Sequence, residues 1–297
     1  MKTMKAIQIH SQGDHEAPRV LELPRPKPGL DEVLVRVHAA GVNPSDRNFR
    51  GWDVSGVVET KGFGVSRFIQ GDEVFGYPDI ARNESYAEFI VVRESDIARK
   101  PISIDHVHAA SLPFAGLTAW QSLFDAANLA SGQKVLIHGA AGSVGGLAVQ
   151  LAKWKGAYVI GTESGRNQDF VRRLGADDVI DLEKMRFEED VSNVDVVLDT
   201  IGGDIRKRSR SVLKKGGIFV SIIGTMPYDE GILALGVRET FVSIKSNASQ
   251  LREIARLVDA GILRPMIQTV LPFSEAGHAQ ELSQTADLRG KVVLRVA

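Results

Sequence analysis

The apolar positions change rhythm along the chain. Up to about Lys100 they fall in short β-like runs, Val33 to Val37, Val54 to Val58 and Ala87 to Val92, and the stretch from Met1 to His10 alternates as a strand does. Pro24, Pro26, Pro28 and Gly29, then Gly71-Asp72 and Gly76, punctuate these runs, which predicts a compact, mostly β module. From Pro113 the pattern differs. A helical stretch around Ala119 to Leu129 precedes the apolar runs Val135 to His138, Ala157 to Thr162, Val179 to Asp181, Val194 to Asp199 and Ile218 to Ile223, with amphipathic segments between them. Val144, Leu147, Ala148, Leu151 and Ala152 recur at helical spacing and so would lay one face on a sheet. Continuous apolar strands separated by helices predict a parallel sheet covered on both faces. After Ser249 come an amphipathic helix through Leu251, Ile254, Ala255 and Val258, a second helix near Ala276 to Leu282, and a last strand, Val292 to Val296.

Length and charge narrow this picture. A chain of 297 residues has room for two ordinary domains. Its formal net charge of −1 at pH 7 sets up no field to attract nucleic acid or an anionic membrane, so an anionic ligand has to be held by local groups. There is no cysteine, which excludes disulfides, cysteine zinc sites, iron–sulfur clusters and thiol nucleophiles. No eighteen apolar residues run together and the N-terminus lacks the apolar core of a signal peptide, so the cytoplasm is the expected compartment.

The chemistry concentrates after the first apolar run of the second part. Val135 to His138 leads into Gly139-Ala140-Ala141-Gly142-Ser143-Val144-Gly145-Gly146 and directly into the amphipathic helix. This matches the Rossmann fingerprint GxGxxG with Ala140 in the first glycine position. Gly142 would let the backbone approach a pyrophosphate, Gly145 would let helix and strand pack closely, and the helix N-terminus would offer N–H groups to phosphates. An ordinary tight turn is the plainer alternative, made less apt by the strand, the helix and the second strand around it. About 20 residues on, NAD-binding domains carry an acidic residue for the ribose, and Glu163 stands there. The next residues, Ser164-Gly165-Arg166-Asn167, offer a hydroxyl and a guanidinium to a 2′-phosphate. The signals conflict; NADPH is favoured through Arg166, whose alternative is a solvated loop cation.

Flanking segments resemble the zinc-independent medium-chain dehydrogenase/reductases, particularly the quinone oxidoreductase, zeta-crystallin-like branch. The resemblance rests on Ala40 to Asp46 (AGVNPSD), Gly51 to Gly56 (GWDVSG), Gly71 to Gly76 (GDEVFG), Leu112 to Trp120 (LPFAGLTAW), Leu174 to Asp177 (LGAD), Asp195 to Gly203 (DVVLDTIGG) and Gly290 to Leu294 (GKVVL). It implies an α/β protein: a doubly wound parallel-sheet Rossmann domain, residues 111–249, inserted in a GroES-like β-rich catalytic domain, residues 1–110 and 250–297. Zinc-dependent relatives place cysteine where Asn43 stands and histidine-glutamate where Trp52-Asp53 stands, so no metal is expected, and His38 is a packed or exposed strand histidine. The resemblance places Asn43 and Thr118 near the nicotinamide as catalytic candidates. It puts Ala141, Gly142, Ser143 and Val144 at the pyrophosphate, and Thr162, Ser164 and Arg166 around the adenosine phosphate. Thr200, Ile223 and the strand Phe241-Val242-Ser243 would line the nicotinamide side, although Phe241 equally suits a core. Two departures stand out. Leu182 follows Asp181 where many relatives carry a tyrosine, and only Arg47, Asn48, Phe49 and Arg50 separate Asp46 from Gly51, where relatives carry a longer loop.

Without zinc nothing polarises an alcohol, so the expected reaction is hydride transfer from NADPH to a quinone or an α,β-unsaturated carbonyl. Tyr77 as a general acid is set against Tyr77 as a structural residue. The alternatives are an enoyl-thioester reductase and a non-catalytic NADPH-binding protein. Arg206-Lys207-Arg208 with Arg210 lacks interleaved aromatics and suits the solvated face of a helix better than a nucleic-acid patch. The expected partners are a small molecule and a second copy in a homodimer, with no nucleic acid and no membrane.

Overall fold

The computed structural model describes residues 2–8, 19–48, 51–78, 85–224, 236–285 and 288–297. Two units emerge, Met1–Leu117 with Lys245–Ala297, and Thr118–Ile244, against expected boundaries near 110 and 250. Met1, Ile9 and His10 of the expected N-terminal strand, and Phe49 and Arg50 of the short segment before Gly51, lie outside the described residues.

The first unit is built on β pairing. Strands β1 (Thr3–Gln8) and β2 (Arg19–Pro24) form an antiparallel ribbon. β3 (Glu32–Val42), β4 (Asp53–Lys61), β5 (Glu73–Gly76), β6 (Phe89–Arg93) and β7 (Ile97–Arg99) follow. The eleven-residue β3 organises them: it pairs with β4 over most of its length and with β6 through its first half. Its apolar alternation seats Val33, Val35 and Val37 against Val54, Val58, Val74, Ile90 and Ile97. A Cβ at Gly56 would lie 2.1 Å from the Arg36 carbonyl oxygen, so the β3–β4 crossing requires glycine there.

The second unit holds β8 (Lys134–His138), β9 (Tyr158–Glu163), β10 (Asp178–Asp181), β11 (Val194–Asp199), β12 (Leu213–Ser221) and β13 (Arg238–Phe241). All are parallel, in the order β10-β9-β8-β11-β12-β13. This is the doubly wound order whose direction reverses between β8 and β11, and ligands of such sheets bind outside the carboxyl ends of the strands at that reversal. Two expectations shift. β12 begins five residues ahead of Ile218, because Leu213 already pairs with Val194 before the register shift. The expected strand Phe241-Val242-Ser243 reduces to Phe241, the last residue of β13. Returning to the first unit, β14 (Ile267–Pro272) and β15 (Lys291–Arg295) add to its sheet, β15 lying antiparallel on the second half of β3. No helix among the described residues is long and apolar enough to cross a membrane.

His138 closes β8 with no exposure. Its Nε2 lies 2.8 Å from the Ser209 hydroxyl, which donates to the Ile205 carbonyl, and its Nδ1 lies 2.8 Å from the Thr162 hydroxyl. With the Ser209 proton used on Ile205, Nε2–H donates to Ser209 and Nδ1 accepts from Thr162, so the neutral ring is satisfied. Burial depresses its pKa from 6.5 to about 4. The unfolded chain therefore binds more protons between these values, and the stability His138 contributes is full above pH 6.5 and is lost as pH falls towards 4. Buried Asp46, raised to about 7, contributes with the opposite sign below pH 7. The difference between wild type and His138→Gln isolates the histidine. In urea unfolding that difference should shrink by about 1.4 kcal/mol per pH unit from pH 6.5 downwards; a difference independent of pH would mean that His138 is not held neutral.

Candidate functional site

The glycine-rich turn lies at the carboxyl end of β8, beside the reversal of strand order. Gly142 precedes helix Ser143–Trp154 with an extended backbone, φ −67° and ψ 173°. The two glycines of the motif meet different surroundings. A Cβ on Gly145 would sit 2.1 Å from the Gly139 carbonyl oxygen, so the helix is held against the strand at van der Waals distance. A Cβ on Gly142 would meet nothing within 4 Å except that same oxygen, at 3.4 Å. Packing demands glycine at 145, whereas at 142 the protein leaves the space open. Glu163 fixes the turn from the neighbouring strand: its carboxylate accepts from the Ala141 N–H at 2.9 Å and from the Ser164 N–H at 3.0 Å.

The other expected residues of this unit fall mostly at the same end of the sheet. Thr200 follows β11 and its hydroxyl donates to the His138 carbonyl at 2.8 Å, tying together the loops on either side of the reversal. Asp199, fully buried, accepts from the Ile201 and Gly202 N–H groups at 3.0 and 2.7 Å and from the Ser221 hydroxyl at 3.0 Å. It holds the Thr200–Gly203 loop, in which Gly202 and Gly203 have φ of 80° and 68°. Ile223 follows β12 and is 52% exposed, and Phe241 ends β13 at 37%; Val242 and Ser243 lie just beyond. Ser164 and the exposed Arg166 follow β9. Thr162, the fifth residue of β9, is buried and its hydroxyl is engaged with His138. Thr118 is buried in helix Pro113–Trp120.

Asn43 belongs to the first unit and lies in a buried polar cluster. Its side-chain N–H groups face Asp53 at 3.1 Å and Asp46 at 3.4 Å, and its oxygen accepts from the Lys291 ammonium. Lys291 also pairs with Asp53 at 2.8 Å. Tyr86 and the Asn43 backbone N–H donate to Asp46 at 2.8 and 2.7 Å, and the Phe114 N–H donates to the other oxygen of Asp53. Burial is what raises Asp46 to about 7, against the hydrogen bonds and the lysine that lower it. Both faces of the Asn43 amide are thus engaged within the cluster. Tyr77 packs edge-on to Trp52 and tilted on Phe114, with centroids 6.1 and 5.7 Å apart, and His38 stacks on His106 at 4.4 Å. The basic run is not simply solvated: Arg208 grips Glu188 with two bonds, Arg210 pairs with Glu239 and Arg206 with Asp199. Sequence reasoning passed over Asp199, His138 and Lys291. Only the buried position of the first, closing an apolar strand before a glycine pair, was available as a signal.

Residues 29–102 match the alcohol dehydrogenase GroES-like domain and residues 174–294 the zinc-binding dehydrogenase family. The chain is 34% identical to human NAD(P)H oxidoreductase RTN4IP1, mitochondrial, over 90% of its own length and 82% of that protein. It is 33% identical to 2-methylene-furan-3-one reductase of Solanum lycopersicum, over 89% of this chain and 71% of that one. The structure of the quinone oxidoreductase from Coxiella burnetii superposes with a TM-score of 0.91 at 33% identity, covering both chains completely. The chain belongs to the medium-chain dehydrogenase/reductase superfamily, as a nicotinamide-dependent oxidoreductase related to quinone oxidoreductases. The family name raises the question of zinc, and the residues present do not fit one. The cluster around Asn43 supplies an amide and the Asp46 and Asp53 carboxylates, and the amide oxygen and Asp53 are already engaged by the Lys291 ammonium. Among the described residues no three His, Cys, Asp or Glu side chains are grouped to hold a metal.

The contrast between the two glycines gives a stability test. Gly142→Ala should leave the thermal midpoint nearly unchanged, within about 0.5 kcal/mol. Gly145→Ala should destabilise by about 1–3 kcal/mol or more, since backbone has to move. Equal losses in thermal unfolding would contradict the packing described.

Proposed function

We propose that the chain is an NADPH-dependent reductase that delivers a hydride, without metal, to a quinone or an α,β-unsaturated carbonyl. The observation that carries the reading is the open space at Gly142, beside the N-terminus of helix Ser143–Trp154 and at the reversal of strand order. A pyrophosphate would take that space, held by the backbone N–H groups of Ser143 and Val144 and by the helix dipole. The cofactor supplies the hydride. This chain's part is to bind and orient: Thr200, Ile223, Phe241 and Val242 would line the nicotinamide side, Thr118 would stand near its ring, and Ser164 and Arg166 would receive the 2′-phosphate. Asn43 contributes through the shape of its cluster. The names of the tomato and Coxiella relatives support the acceptor class. The reading includes a homodimer in the cytoplasm, although the human relative is named mitochondrial.

NADH is the competing cofactor, because Glu163 carries a carboxylate at the end of β9; its bonds to Ala141 and Ser164 give it a structural task that favours the Arg166 reading. Fluorescence titration with both cofactors tests binding. Gly142→Val should keep its circular dichroism and lose NADPH affinity by several kcal/mol, because the side chain fills the open space. Arg166→Ala should weaken NADPH by about 1.5–3 kcal/mol and leave NADH unchanged. A folded valine variant that binds NADPH like wild type would sink the dinucleotide site, and a wild type that prefers NADH would transfer the choice of cofactor to Glu163.

A further inference from the structure

Two loops at the carboxyl edge of the parallel sheet carry residues proposed above to line the nicotinamide side: the turn after β11, with Thr200, and the turn after β12, with Ile223. They lie against each other, since a Cβ on Gly202 would come 2.9 Å from the Ile223 side chain. One buried network holds both. Asp199 gives its Oδ1 to the Ile201 and Gly202 N–H groups, and its Oδ2 accepts from the Ser221 hydroxyl at 3.0 Å. Ser221, wholly buried, accepts in turn from the Ile223 N–H at 3.2 Å and from Arg206 Nη2 at 2.8 Å. A hydroxyl has one proton to give and two lone pairs, so Ser221 is filled. Arg206 Nη2 also lies 3.3 Å from the Gly224 carbonyl oxygen, and its Nε is 3.6 Å from Asp199 Oδ2. Arg206 comes from helix Asp204–Ser209, directly after the first loop, and reaches across to the second.

We infer, building on that cofactor reading, that Arg206 is a positioning residue for hydride transfer: through Ser221 and Asp199 it fixes the Thr200 loop against the Ile223 loop and so sets where the nicotinamide ring lies. The Asp199 carboxylate has no exposure, and a charge so placed needs a hydrogen-bonded counter-charge. Arg206 supplies that charge with a planar fork that reaches Ser221 and Gly224 at the same time, so neutralising Asp199 and spacing the loops are a single act. The adenosine end is built elsewhere, after β8 and β9, where Glu163 holds the backbone. Loss of Arg206 is therefore felt at the ring, where a displacement of about 1 Å can cost about a hundredfold in rate, and not at the adenosine phosphate. Arg206 itself exchanges no proton.

The test measures 2′,5′-ADP binding by calorimetry, the fluorescence lifetime of bound NADPH, which reports how firmly the ring is held, and turnover of an α,β-unsaturated ketone. Arg206→Ala should bind 2′,5′-ADP within about twofold of wild type, shorten the lifetime and lower kcat about tenfold or more, with added guanidinium ion restoring part of kcat. Ser221→Ala, which keeps both charges, should show the same split, and it decides the matter where Arg206→Ala does not fold. A folded Arg206→Ala chain with the lifetime and kcat of wild type would overturn the inference. So would loss of 2′,5′-ADP affinity in step with kcat, the mark of a residue that merely supports the fold. Wild type that binds neither 2′,5′-ADP nor NADPH fails the cofactor reading itself, and the inference falls with it.

Discussion

The contact on which the nucleotide-binding half depends is the approach of helix Ser143–Trp154 to strand β8 at Gly145. With no Cβ there, the helix N-terminus comes close enough for its amides to face the space beyond β8, and any side chain at 145 would drive it off the Gly139 carbonyl. The remaining features of that edge set the direction of those amides. Glu163 fixes Ala141 from β9, and Thr200 ties the β11 loop to the end of β8. The anion site proposed there would be a property of backbone placement, held by half-buried side chains that need not touch the ligand themselves.

Much of this was legible in the sequence because it is periodic or covalently local. The parallel strands of the second unit announce themselves as unbroken apolar runs, and Val194 to Asp199 coincides with β11. The glycine turn is readable because its chemistry needs particular residues at fixed spacing. The start of β12 escaped, since Lys214, Lys215, Gly216 and Gly217 carry no apolar signal and are held in the strand by pairing beyond their own sequence. The partner of Thr162 was illegible for a similar reason: its hydroxyl meets His138, which in turn meets Ser209, and neither is near it in sequence.

The polar clusters were the least legible part. Asn43 and Lys291 are 248 residues apart, and nothing local to either predicts that they meet. The absence of cysteine argued against cysteine-bound zinc, but it could not reveal that the Lys291 ammonium engages Asp53 and Asn43. The same lesson applies to Arg206, Arg208 and Arg210, a basic run by sequence and a set of specific ion pairs in the fold. Charge counted along a chain describes a surface only when its partners are also known.

The central claim is that this fold passes a hydride from a nicotinamide to an electron-poor acceptor with groups of its own and no metal. Its most direct measurement uses NADPH deuterated at the transferable C4 position, an α,β-unsaturated ketone and chelator-treated protein, with the product read by mass spectrometry. The account predicts a saturated ketone carrying one deuterium on the former β-carbon, formed at a rate that added zinc does not raise. Cofactor that binds while the ketone stays unreduced, or reduction that appears only when zinc is restored, would contradict it.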